Sequence, residues 1–177
     1  MGIIKKLYNR FLLKTNPIKW AKKHDVKLGE KVRFTGPVSF GTEPYLVEIG
    51  NHVCIAGAEF ITHEGAHWVL KGLEPDKFKD TFAYGRIIIR DNVYVGSGCT
   101  FLRGVTVGEN TIVGARSLVN KSLEPNSVYA GVPAKKMCSL DEFKEKFLAD
   151  MPEFDLENYK KNKKDEVLKI VDKFRKR

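Results

Sequence analysis

Four histidines, three cysteines and two tryptophans carry most of the reactive or recognition chemistry available to this chain. Two of the histidines, His63 and His67, fall in one short run, FITHEGAHWVL, with Glu64 between them and Trp68 directly after. Imidazole titrates near neutrality, so it can take the proton of a hydroxyl group, which is almost fully protonated at pH 7, and carry the resulting charge. A lone histidine at a turn is more often an ordinary surface residue. His63 differs because the largest irregular segment of the chain starts four residues after it. Glu43, Glu59 and Glu64 are the carboxylates that could orient it, and the spacing does not choose among them. Trp68 offers a flat apolar face that could stack on a sugar ring or anchor its own loop. A metal site is not expected. His24 lies outside the repeat described below, His52, His63 and His67 are not spaced to converge, and Cys54, Cys99 and Cys138 form no CxxC pair. Cys54 and Cys99 read as small packing residues.

The elements that must position these groups are set by a repeat. Ile89 to Glu124 divides into IRDNVY, VGSGCT, FLRGVT, VGENTI, VGARSL and VNKSLE, opened by Ile89, Val95, Phe101, Val107, Val113 and Val119. A bulky apolar residue every sixth position fits neither the helical period nor the strand period and marks a repeat architecture. The physical solution is a parallel β-helix with three short flat sides per coil, first residues pointing at the axis and small residues at the corners. The same frame starts at Leu28 with LGEKVR and FTGPVS, stretches to nine residues in FGTEPYLVE from Phe40, and resumes at Ile49 with IGNHVC, IAGAEF and Ile61 opening ITHEGA. Residues 67–88 abandon it. Gly72, Pro75 and Gly85 punctuate this excursion, and a long departure from a rigid solenoid is more often functional than filler.

The chain outside the repeat is basic and helical in pattern. Three segments are expected: an amphipathic helix within 1–24, the β-helix over 25–137, and a helical extension over 138–177. Residues 2–14 set Ile3, Ile4, Leu7 and Phe11 on one face among Lys5, Lys6, Arg10 and Lys14, and Pro17 ends or interrupts the helix. That face is expected to pack on the β-helix or a neighbouring subunit; the alternative is an anionic membrane surface. After Glu124 a turn-rich exit, PNSVYAGVPAKKM, leads to a helix with Ser139 as N-cap and Glu142 completing a capping box, and then to a helical pattern over 155–176. Of the net charge of +9, residues 1–23 hold +7 and residues 155–177 hold +4, which leaves the middle at −2. That distribution, without a basic stripe of interleaved aromatics, speaks against a nucleic-acid partner. No secretory core, membrane span or myristoylation signal is read, so a cytoplasmic location is the default.

The hexapeptide frame, the VYVGSG run, VGARSLVNKSLEPNSV and the AGVPAKK exit resemble the hexapeptide-repeat acyltransferases over about Leu28 to Met137. Within that family the chain looks most like the capsular-polysaccharide and sugar O-acetyltransferases and the xenobiotic acetyltransferases. The resemblance implies an all-β fold, a left-handed parallel β-helix of hexapeptide repeats with short N- and C-terminal helices. It implies a homotrimer with acetyl-CoA lying in grooves between adjacent β-helices. His63 matches the family's catalytic histidine, acting as general base in a ternary complex with no covalent enzyme intermediate. Tyr94, Ser97, Ala115, Asn120, Lys121 and Lys135 match cofactor-binding positions, with Lys136 a further candidate; Asn120 departs from the usual threonine before the lysine. Trp68 and Glu43 are placed on the acceptor side, and His67 reads as lining the loop.

A sugar hydroxyl of a capsular or surface polysaccharide, or of its precursor, is the expected acceptor. A chloramphenicol-like or streptogramin-like xenobiotic and an amino-sugar nucleotide are the alternatives within the family. A β-helical metal enzyme of the carbonic-anhydrase type and a non-catalytic assembly scaffold are the alternatives outside it.

Overall fold

The structure, a computed structural model, describes residues 2–151 and 155–174. It opens with α1 (Ile3–Thr15) and α2 (Pro17–Lys23). Asn16 divides them: its side chain accepts from Lys19 N at 2.9 Å, and Pro17 takes the first position of α2, where a missing N–H removes no helical bond.

Short strands follow, beginning with β1 (Lys27–Leu28), β2 (Arg33–Phe34), β3 (Val38–Ser39), β4 (Val47–Ile49), β5 (Cys54–Ile55) and β6 (Ala58–Ile61). After α3 (His67–Leu73) and α4 (Pro75–Phe78) come β7 (Ile87–Ile89), β8 (Tyr94–Val95), β9 (Cys99–Leu102), β10 (Thr106–Val107), β11 (Ile112–Val113) and β12 (Leu118–Val119). Every third strand joins the same sheet. Sheet I is β1-β4-β7-β10, sheet II contains β2-β5-β8-β11, and sheet III is β3-β6-β9-β12, all paired in parallel. The chain therefore visits three sheets in rotation, which is the topology of a three-sided parallel β-helix. The six residues that open the regular blocks, Ile89 to Val119, are each 1% exposed or less. The fifth residue of each block, from Val93 to Leu123, is buried as well. Two inward positions in six is the sequence pattern converted directly into a core.

Four features differ from the sequence reading. Counting six from Ile55 makes Ile61 the next inward residue, yet Phe60 is fully buried and Ile61 is half-buried, because Ala58 pairs with Cys99 and Phe60 with Phe101. The block is one residue short at Gly57. Ring stacking accounts for the slip: Phe40, Phe60 and Phe101 stack at successive centroid distances of 5.4 Å, and Trp20 caps the column 5.5 Å from Phe40. The excursion holds helices α3 and α4, and it ends before residue 87, since Ile87 and Ile88 belong to β7 and Ile87 is fully buried opposite Val47.

The exit after Glu124 is a hairpin of β13 (Ser127–Ala130) and β14 (Lys135–Ser139), antiparallel to each other, with β13 parallel to β11 in sheet II. Ser139 ends β14 and stands, as the sequence indicates, immediately before the next helix, α5 (Leu140–Asp150), in the N-cap position. Finally, α1 packs through Leu12, which is buried, and not through the stripe of Ile3, Ile4, Leu7 and Phe11, which is exposed. The stripe therefore does not pack on this chain's own β-helix, because apolar residues lie on both sides of α1 and the Leu12 side takes that contact.

The chain divides into a compact unit ending at Asp141 and a second from Glu142 onward. In the second, the 155–176 pattern is broken at Asn162 into α6 (Leu156–Lys161) and α7 (Lys163–Phe174), tied by Asn158 Nδ2 donating to Glu166 Oε2 at 2.6 Å. Residues 175–176 of that pattern lie outside the described residues. Among the described residues no helix is long and apolar enough to cross a membrane.

Candidate active site

The three corners of the prism are built differently. At the corner from sheet I to sheet II, Lys31, His52, Asn92, Asn110 and Asn126 all have φ between 53° and 56°, a left-handed conformation that asparagine tolerates well. His52 Nδ1 meets Asn92 Oδ1 at 2.8 Å, Asn92 Nδ2 donates to Asn110 Oδ1 at 2.7 Å, and Asn110 Nδ2 donates to Asn126 Oδ1 at 2.9 Å. This ladder is structural, and it occupies one of the three histidines a metal site would have required. His67 is engaged with the Glu64 carbonyl at 3.0 Å. Among the described residues no three His, Cys, Asp or Glu side chains gather into a metal-binding group.

The corner from sheet II to sheet III is smooth. Ser97 and Ala115 lie there in successive coils, both exposed, and Arg116 N donates to Ser97 O at 2.9 Å. A Cβ on Gly96 would press against the Ala115 backbone nitrogen, so this close approach of coils requires glycine.

The corner from sheet III to sheet I carries every insertion and the candidate chemistry. The over-length block leaves β3 at Phe40, passes through Glu43 and a short 3₁₀ turn over Pro44–Leu46, and returns in β4. One coil on, β6 ends at Ile61 and alternation turns Thr62 inward, fully buried, and His63 outward. His63 and Glu43 thus meet although twenty residues apart: His63 Nδ1 lies 3.1 Å from Glu43 Oε2. Thr62 Oγ1 donates to the same oxygen at 2.8 Å, and Thr42 Oγ1 donates to Glu43 Oε1 at 2.6 Å. The hydrogen bond from the Thr42 hydroxyl, followed by those from the Thr62 hydroxyl and the His63 ring nitrogen, holds the Glu43 carboxyl below its ordinary value against the opposing effect of burial. An ionised carboxylate only accepts, so Nδ1 is the donor to Glu43, and in the neutral imidazole Nε2 carries the free lone pair. Of the three carboxylates the sequence left open, Glu43 is the one on the imidazole. Glu64 instead accepts from Ala66 N at 2.9 Å, and Glu59 points outward from β6.

His63 lines an open cavity of about 470 Å³ with Ile61, Glu64, Gly65, Leu102, Arg103 and Asn120. Leu102, Arg103 and Asn120 come from the corresponding corners of the next two coils, so the cavity runs along the stacking direction. Asn120 is the one sequence-derived cofactor residue brought to it. Lys121 follows at the same corner, exposed, while Lys135 and Lys136 are exposed on β14. Tyr94 lies on sheet II, 46% exposed, beside a separate cavity of about 320 Å³ with Cys54, Asn92 and Ile112. Trp68 stands on α3 at 80% exposure and lines neither cavity, which excludes its anchoring reading within one chain. Thr42, Thr62 and Arg103 were missed from sequence. The two threonines could have been found from a hydroxyl beside each member of the acid–base pair; Arg103 lies in a regular block and carries no local signal.

Known proteins share this repeat and this three-sided coil. Residues 86–121 match the family model described as bacterial transferase hexapeptide (six repeats). The protein CapG of Staphylococcus aureus is 34% identical over 163 residues, 90% of this chain and 92% of its own length. The putative lipopolysaccharide biosynthesis O-acetyl transferase WbbJ of Escherichia coli is 35% identical over 95 residues, 50% of this chain and 48% of its own. Among solved structures, a hexapeptide-repeat acetyltransferase from Vibrio cholerae shares the fold, with a TM-score of 0.54 at 24% identity over 66% of this chain and 63% of that one; it has also been solved with acetyl-coenzyme A. The chain belongs to the hexapeptide-repeat family of bacterial transferases, and its enzyme class is acyltransferase.

Proposed function

We propose that the protein is an O-acetyltransferase that moves the acetyl group of acetyl-CoA to a sugar hydroxyl of a capsular or other surface polysaccharide, or of its precursor. The observation that carries this reading is the His63 imidazole, held through Nδ1 by an ionised Glu43 at the wall of an open cavity. The name of the Escherichia coli relative supports the polysaccharide assignment.

In this reading His63 Nε2 removes the acceptor hydroxyl proton as the oxygen attacks the thioester carbonyl. The imidazolium formed is stabilised by Glu43 and returns the proton to the departing thiolate as the tetrahedral species collapses to ester and free CoA. Backbone N–H groups or a small side chain of the cavity would hold the oxyanion. Both substrates sit in one groove, so no covalent enzyme intermediate is needed. Glu43 is a positioning residue in this scheme, which moves it from the acceptor side where the sequence had put it.

The coil is taken to wind left-handed, and the working assembly to be a homotrimer. Support for the assembly is the scatter of the expected cofactor residues over one prism: Ser97 and Ala115 on one corner, Asn120 and Lys121 on another, Tyr94 on a face and Lys135 on the terminal hairpin. Two prisms side by side can present two such edges to one long ligand, which a single convex prism cannot. Trp68, Tyr94, Ser97, Ala115, Lys121 and Lys135 keep their proposed acceptor and cofactor roles in that groove.

A screen of sugar nucleotides, oligosaccharides and chloramphenicol-like compounds for acceptor-dependent CoA release tests the proposal. A saccharide acceptor whose turnover collapses in His63→Ala is the expected result. Turnover retained by that variant overturns the mechanism, and turnover confined to the drug-like compounds overturns the substrate.

A further inference from the structure

The outer face of α1 is apolar, cationic at its flank and uncovered. Ile3, Ile4, Leu7 and Phe11 are between 62% and 84% exposed, and Tyr8 is 49% exposed. Their spacing sets Ile3, Leu7 and Phe11 in one stripe with Ile4 and Tyr8 alongside. Leu12, on the opposite side, is buried, and Leu13 packs against the same core. The helix is held that way round: Lys23 Nζ lies 5.0 Å above the Tyr8 ring and donates to Asn9 Oδ1 at 3.4 Å, while Asn9 Nδ2 meets His24 Nε2 at 3.5 Å. Lys6, Arg10 and Lys14 recur every four residues and form a cationic stripe along one flank of the apolar face. Residues 1–23 contain seven Lys or Arg and no acid.

We propose that this face lies on an anionic lipid surface, with Ile3, Leu7 and Phe11 entering the interface and Lys6, Arg10 and Lys14 meeting lipid phosphates. Charge selects this occupant. A second copy of the helix would bring the same cationic stripe with no carboxylate to answer it, whereas anionic headgroups supply compensating charge and acyl chains accept the apolar stripe. Long lysine and arginine stems let the charges reach the headgroups while the apolar residues sit deeper. The body of the enzyme would then work beside the membrane without crossing it.

The test is flotation of the full-length protein with vesicles of phosphatidylglycerol and phosphatidylcholine, compared with phosphatidylcholine alone. Binding to the anionic vesicles, absent from the neutral ones and weakened by salt, is expected. Lys6→Gln with Arg10→Gln and Lys14→Gln should weaken it roughly a hundredfold. Ile3→Ser with Leu7→Ser and Phe11→Ser should remove it while leaving the thermal melt and the mass by light scattering unchanged. No binding to anionic vesicles at low salt overturns the proposal. So does a lower mass of the serine variant, because the face would then belong to an interface between copies.

Discussion

The regular coils from Ile89 to Glu124 and the interrupted stretch from Phe40 to Arg86 are made of the same repeat and do opposite jobs. In the regular coils all six block openers are buried and two of the three corners are closed by an asparagine ladder or by small residues, so those surfaces are smooth and repetitive. In the interrupted stretch one block is three residues long in excess, another is one residue short, and a helical excursion leaves the coil. All of these lie between β3 and β7, and the imidazole–carboxylate pair forms there. Regular repeats can place side chains only on a lattice. Bringing Glu43 onto His63 needs the chain to leave the lattice, and the neighbouring regular coils supply the rigid wall, through Leu102, Arg103 and Asn120, that gives the pair a cavity to face.

If this division is real, substitutions in the two regions should separate activity from stability. The largest expected effect is His63→Ala, which should lower acceptor-dependent CoA release by roughly 10²- to 10⁴-fold with an unchanged melting temperature. An equal loss of stability would mean that the interrupted stretch is a structural splice and not a site. Phe60→Ala, inside the aromatic column shared by the two regions, should cost about 3–5 kcal/mol in denaturant unfolding. A cost near zero would show that the two regions are not joined through that column.

Glu43→Gln should cut kcat less than His63→Ala does, and it should alter the acid limb of stability. The Glu43 carboxyl is held below its ordinary 4.5, so its stabilisation is present above that value and is lost as pH falls through the lower folded value. The variant should lack that acid-limb loss, which chemical denaturation at a series of pH values would detect. Asn110→Ala, in the ladder of the regular coils, should cost about 1–2 kcal/mol through lost hydrogen bonds and a left-handed backbone, with kcat untouched. A fall in kcat there would blur the comparison.

Much of this was legible without coordinates because the repeat is local. Six-residue spacing of Ile89 to Val119 suffices to point those side chains inward, since the coil is set by chain geometry and each coil repeats the last. The breaks at Phe40 and after His63 were equally visible, as departures from a known period. What the spacing could not supply was the register across coils. Phe60 replaced Ile61 as the inward residue because rings from three coils stack, and Glu43 was chosen over Glu59 and Glu64 because two threonines and the imidazole meet its oxygens. Both outcomes depend on pairing between residues twenty or more positions apart.

The amino-acid sequence by itself therefore determined the architecture, the family and the histidine to suspect, because these follow from period and motif. Only the tertiary structure decided which carboxylate orients that histidine, that Arg103 and Asn120 share its cavity while Tyr94 does not, and which face of α1 is left bare. The physical reason is common to all three: they depend on which side chains of different coils or helices come within a few ångströms, a relation that local spacing does not encode.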